Sequence, residues 1–177
     1  ITAESPFYVE SGGQVNDEGV VTLNEHSYAV IDLKKVGSRF NPAIAVCLVP
    51  FETMGSCSVG DAVHLIVDKE TRIDTVRNHT ATHMLHAALH TVLGEQAKQA
   101  GSVVNKDYLR FDFTHPEALT RTQITQIENL VNEKIWENIE TDIAVMSLDA
   151  AQKKGAIAFF GEKYNPESVR VVSIPGF

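Results

Sequence analysis

IDTVRNHTATHMLHAALHTVLG, residues 73–94, is where the chain changes character. Ala81, Leu85, Ala88 and Val92 recur at spacings of 4, 3 and 4, which marks one face of an α-helix, and Gly94 stands where a C-terminal stop belongs. A helix over 75–94 is predicted. His79, His83, His86 and His90 repeat the same spacings and fall on the opposite stripe.

Upstream of this helix there is no helical periodicity. Gly12, Gly13, Gly19, Gly37, Gly55 and Gly60 punctuate short runs rich in β-branched residues, with strands predicted at 28–36, 43–49 and 62–67. Turn chemistry stands between them at 16–19 and 58–61. Short strands at this spacing are expected to form a small barrel or sandwich, so residues 1–72 are read as a β-rich, barrel-like subdomain.

Downstream, helices and strands alternate. Tyr108–Phe113 alternates as a half-buried strand, and Thr120 with Gln123 gives a capping-box signature. Ile124, Ile127, Val131 and Ile135 mark the apolar face of a second long helix over 120–138. A strand at 143–146, a short helix at 149–154 and a last strand at 169–174 complete the pattern. The expected fold class is therefore α+β. Residues 73–177 should form a two-layer subdomain, an antiparallel sheet with two long helices on one face.

Composition narrows the function classes. The 177 residues are 44% hydrophobic and 21% charged, and 15 basic against 23 acidic side chains give a net charge of −8. Scattered charge on an ordinary apolar content excludes disorder, and no apolar run reaches the ~20 residues of a membrane helix. The acidic balance argues against a protein that grips nucleic acid mainly by neutralising phosphates. Two cysteines, Cys47 and Cys57, make no disulfide framework, so a reducing, cytoplasmic compartment is expected. The chain opens at Ile1 and closes at Phe177, directly after a strand, and reads as an excised piece of a longer protein.

Two readings of the histidine stripe are open. Imidazoles at i and i+4, as in His79 and His83, can converge on one zinc ion, but a zinc site wants three or four protein ligands and no cysteine follows Cys57. No Glu makes the His-Glu-x-x-His pattern. The other reading is a polar helix face satisfied by solvent and neighbours. Likewise Gly12-Gly13 reads as a tight turn with Gln14 capping it, and Arg110 and Asp112 as either a solvated strand face or a site lining. Cys47 reads as a small buried hydrophobe. Lys163 and Arg170 are cations within possible reach of phosphates.

The run Arg77-Asn78-His79-Thr80-Ala81-Thr82-His83 resembles the first zinc-ligand motif of the alanyl-tRNA synthetase editing domain, a family related to the free-standing AlaX deacylases and to the threonyl-tRNA synthetase editing domain. Three further segments agree in order: Pro6 to Gln14, then Gly101-Ser102-Val103-Val104 with Leu109 to Phe113, then Lys154 to Tyr164. The last of these favours the synthetase over the free-standing proteins. The resemblance covers essentially the whole chain.

It implies a zinc ion with His79 and His83 as two of four ligands, the other two belonging to a Cys-x-x-x-His motif that in the family follows the strand at 169–174. It implies that Gln14 and Ser5 read the substrate hydroxyl and take part in catalysis, and that Gly12, Gly13, Arg110 and Asp112 bind substrate. Ser5 stands where the family commonly has threonine. The implied function is hydrolysis of seryl and glycyl esters from tRNA(Ala), within an enzyme that joins alanine to tRNA with ATP. Implied partners are the tRNA(Ala) acceptor end and the rest of the synthetase. The alternatives are a free-standing deacylase and a silent module that binds the tRNA end.

Overall fold

The computed structural model describes residues 1–2, 4–38, 41–48, 58–156 and 164–176. In chain order the elements are β1 (Gly19–Leu23), β2 (His26–Ser38), β3 (Asn41–Leu48), β4 (His64–Val67), α1 (Lys69–Leu93), β5 (Gln99–Val104), β6 (Leu109–Phe113), α2 (Arg121–Trp136), β7 (Asp142–Met146), α3 (Leu148–Lys153) and β8 (Val169–Ser173). They form two compact units, Ile1–His79 with Ser102–Arg110, and Thr80–Gly101 with Phe111–Phe177. Among the described residues no helix is long and apolar enough to cross a membrane. Cys57, Lys163 and most of the Lys154–Tyr164 motif lie outside the described residues.

The first unit corrects the expectation of a barrel. Its sheet is open and antiparallel in the order β3-β2-β1-β4. A barrel needs its two edge strands to pair. Here, among the described residues, the outer edge of β3 is met by one bridge, between Thr2 and Ile44. Short strands with glycine-rich turns fit an open sheet as well as a closed one, so the sequence does not separate the two.

Strand β1, unmarked in the sequence reading, occupies an inner position and pairs with both β2 and β4. A bulge between Val30 and Asp32 leaves Ile31 outside the ladder and 64% exposed. Phe7, Val9 and Leu33 are buried beneath the sheet, with Val30, Ile44, Val46, Leu65 and Val67 packed against them. Cys47, expected to be buried, is half-buried in β3.

The β1–β2 turn places Asn24 at φ 50° and Glu25 at φ 67°. Two left-handed positions are the signature of the type I′ hairpin, whose second site favours glycine. Glu25→Gly is expected to stabilise the protein by about 0.5 kcal/mol, the relief of left-handed strain exceeding the added chain entropy. A rise in the urea midpoint without a change in slope checks this.

Helix α1 begins six residues before the predicted start. Asp68 caps it, its Oδ1 accepting from Thr71 N–H at 2.9 Å. Gly94, at φ 92°, ends it, and its N–H donates to His90 O. The helix also buries a different face from the one predicted. Thr75, Thr82, His86, Leu89 and Leu93 are buried, as are Met84 and Ala88, while Ala81, Leu85 and Val92 are half-buried.

The second helix follows the sequence closely. Thr120 and Gln123 form the expected capping box, and Ile127 is buried. Ile135, assigned to the same face, is 50% exposed in the last turn. Ala88, Leu89, Leu93, Ala97 and Ile127 make the core of the second unit, with Phe111, Phe113, Leu130 and Val131 packed around it. The expected single sheet is instead two ribbons, β5–β6 and β7–β8. The region remains two-layer α+β with two longer helices.

Candidate functional site

The segment from Ser5 to Asp17 is built around a tight turn. Ser11 and Gln14 exchange backbone hydrogen bonds at 3.2 and 3.0 Å across Gly12 and Gly13, which lie at φ 59° and 82°. Both positions are left-handed, so the glycines are a conformational requirement. The turn is docked on β5: Val104 N–H donates to Gly13 O at 2.8 Å, and Val15 N–H donates to Val104 O at 3.0 Å. A Cβ on Gly13 would come within 2.8 Å of Ser102 O and would also meet Ser102 Oγ. Gly13→Ala is expected to destabilise the first unit by about 1–3 kcal/mol, through left-handed strain and this close approach. Thermal unfolding of the variant checks the figure.

The turn delivers Gln14 to helix α1. Gln14 is 4% exposed, and its Oε1 lies 2.6 Å from His79 Nδ1. An amide oxygen only accepts, so Nδ1 is the donor, and the basic lone pair of a neutral His79 ring resides on Nε2. On the preceding helical position, Asn78 donates from Nδ2 to Asn105 O at 2.9 Å, which fixes α1 against the turn after β5. Ser5 is half-buried, and its Oγ accepts from Phe7 N–H at 3.3 Å, a local cap of the segment. Arg110 and Asp112 are exposed on β6, and Arg170 is exposed on β8.

Sequence reasoning missed the residues that hold this segment. Asp17, 7% exposed, accepts from Tyr8 N–H and from Arg72 Nε at 2.7 Å, and its second oxygen pairs with Arg72 Nη2. Arg72 Nη2 also donates to Pro6 O at 2.9 Å. The hydrogen bond that Arg72 donates to Asp17 raises the Arg72 pKa above its usual value. Asn16 reaches the other way, accepting from Glu10 N–H at 2.7 Å and donating to Asp32 Oδ1 at 3.1 Å. These residues lay in a stretch that reads as turn chemistry, and nothing in the local pattern marks Arg72 as their partner.

The histidine stripe divides into different environments. His79 meets Gln14, His83 is exposed, and His86 is buried with its ring 4.3 Å from His90 and 5.2 Å from Phe111. Burial, reinforced by the charges of His90 and His83, pushes the His86 pKa down to about 4. Its folded value lies below the unfolded value of 6.5. The stability gained by keeping it neutral is thus complete above pH 6.5 and is lost as pH falls toward 4. A loss of about 2 kcal/mol across that window is expected, and it should be absent in His86→Gln when urea midpoints are compared.

The zinc ion implied by the resemblance does not fit these residues. Among the described residues no group of three or more His, Cys, Asp or Glu side chains could hold a metal ion. Nδ1 of His79 is engaged by Gln14, and His83 faces outward as an exposed side chain. Zinc, and with it a metal-binding role for His79 and His83, is withdrawn as a cofactor assignment.

No family model matches the chain. Curated proteins do. The chain is 44% identical over 177 residues to an alanine–tRNA ligase of Haemophilus influenzae, 46% over 174 residues to that of Streptococcus mutans, and 46% over 173 residues to that of Desulfitobacterium hafniense. These alignments cover 100%, 98% and 97% of the chain but 20%, 19% and 19% of the respective ligases. Along essentially its whole length, then, the chain is homologous to alanine–tRNA ligases, and it corresponds to about a fifth of that enzyme.

Proposed function

We propose that this chain is the editing region of an alanine–tRNA ligase and hydrolyses seryl and glycyl esters from the 3′ end of tRNA(Ala). The observation that carries this is the hydrogen bond from His79 to the buried Gln14 side chain at a glycine turn, in a chain homologous to these ligases. A pocket that selects alanine cannot exclude the smaller glycine by size, and an added hydroxyl costs little in an apolar pocket, so serine is poorly rejected. A second, hydrolytic site supplies the missing discrimination.

The side chains give each step an agent. His79, donating from Nδ1 to Gln14, is held as the tautomer whose Nε2 takes a proton from the attacking water. The water oxygen bonds to the ester carbonyl carbon, the bond to the ribose oxygen breaks, and that oxygen receives the proton. With its oxygen committed to His79, Gln14 presents its amide N–H groups to the serine hydroxyl, and Ser5 supplies a second hydroxyl. Gly12 and Gly13 set the left-handed turn that holds Gln14 at this site, and the terminal nucleoside is read as binding beside that turn.

At net charge −8 few phosphate contacts are available, so the chain should hold tRNA weakly, and salt screens the contacts it makes. Incubating the chain with seryl-tRNA(Ala) while measuring both bound tRNA and remaining ester separates the possibilities. Ester loss above the protein-free rate supports the proposal. Binding without hydrolysis would instead support a silent tRNA-end module.

A further inference from the structure

The Gln14–His79 contact has a counterpart two helical turns away. Arg72 and His79 are seven residues apart on α1, on the same side and separated by about 10 Å along the axis. Gln14 and Asp17 are three residues apart, and three residues of fully extended chain reach at most about 11 Å. The segment therefore meets the helix at two points, Asp17 on Arg72 and Gln14 on His79, with little slack between them.

We propose that the ion pair between buried Asp17 and half-buried Arg72 is a positioning device that fixes the glycine turn along α1 so that the Gln14 amide oxygen meets His79 Nδ1. The guanidinium is suited to this because it engages both arms of the segment. It reaches Pro6 O on the entering arm and both Asp17 oxygens on the leaving arm, while Asp17 also accepts from Tyr8 N–H. A planar fork defines direction as well as distance, which a lysine ammonium cannot do. Arg72 and Asp17 thus act through Gln14 and touch no substrate. The inference rests on the hydrolytic reading only for its functional consequence.

The test uses the full 177-residue chain labelled uniformly with 15N, so that histidine rings and backbone amides are both observed. In the unaltered chain the His79 ring should show a protonated Nδ1 protected from exchange, and Gln14→Ala should abolish that protection. Arg72→Lys and Asp17→Asn should abolish it as well, with β1–β2 amide resonances and the His86 and His90 ring signals in place. In parallel, Arg72→Lys should lower kcat for seryl-ester hydrolysis by about 10- to 100-fold, with KM little changed, and should cause no further loss in a Gln14→Ala background.

Persistence of the His79 signature in a folded Arg72→Lys or Asp17→Asn chain overturns the proposal. So does loss of the β1–β2 resonances in either variant, because the pair would then be holding the sheet and not the turn. If the signature responds as stated but the unaltered chain hydrolyses no ester, the positioning stands and the hydrolytic function falls.

Discussion

His79→Ala lowers seryl-ester hydrolysis by about 10²- to 10⁴-fold, the usual contribution of a positioned general base. The loss should appear in kcat, because His79 is assigned to proton transfer and not to holding tRNA. His79→Ala should also free Gln14 to rotate, so His79→Gln, whose side-chain N–H can donate to Gln14 Oε1 in place of the ring, is expected to recover folding and tRNA affinity without recovering rate. Steady-state kinetics on seryl-tRNA(Ala), with retained tRNA measured alongside, checks both parts.

The second large effect is on stability. Leu89 is 2% exposed at the centre of a cluster with Ala88, Leu93, Ala97 and Ile127. Leu89→Ala removes three carbons from a fully buried position and leaves a cavity that its packed neighbours can only partly fill. A cost of about 3–5 kcal/mol is expected, at the upper end for such truncations. Urea denaturation monitored through the second unit measures it. Leu85→Ala, one turn away and half-buried, should cost less than half as much, although the spacing of apolar residues ranks Leu85 with the core.

The contrast between Leu85 and Leu89 shows how far the sequence could be read. Periodicity located helix α1 and its end at Gly94, but the face it named is not the most buried one. The buried stripe runs through Thr75, Thr82 and His86, residues that polarity scales place outside. Thr75 and His86 have local reasons to be tolerated inside. Thr75 donates to Thr71 O at 2.8 Å within the helix, and His86 stays neutral among aromatic rings. Helix α2 was legible almost to the residue because its capping box is a local signal, complete within four positions. The start of α1 was not, since the apolar periodicity begins only after the first turns and Asp68 was not read as its cap.

Longer-range features were less accessible. The four-stranded sheet could not be told from a barrel, because closure depends on strands far apart in sequence meeting at an edge. The Asp17–Arg72 pair joins residues 55 positions apart, and neither has a periodicity that would single it out. Four motifs pointed to the Gln14 turn and the His79 helix, and their hydrogen bond follows from the fold. The same motifs led to zinc, which the donor set among the described residues does not support. A pair at i and i+4 fixes two possible ligands and says nothing of the others.

The central claim is that Gln14 and His79 hydrolyse a mischarged ester by reading a hydroxyl that alanine lacks. The most direct test is the ratio of kcat/KM for seryl-tRNA(Ala) to that for alanyl-tRNA(Ala), measured on the unaltered chain and on Gln14→Ala. A site that hydrogen-bonds the substrate hydroxyl should favour the seryl ester by at least about 10²-fold, and Gln14→Ala should bring the ratio close to unity. Equal hydrolysis of the two esters by the unaltered chain, or a ratio unchanged by Gln14→Ala, would contradict it.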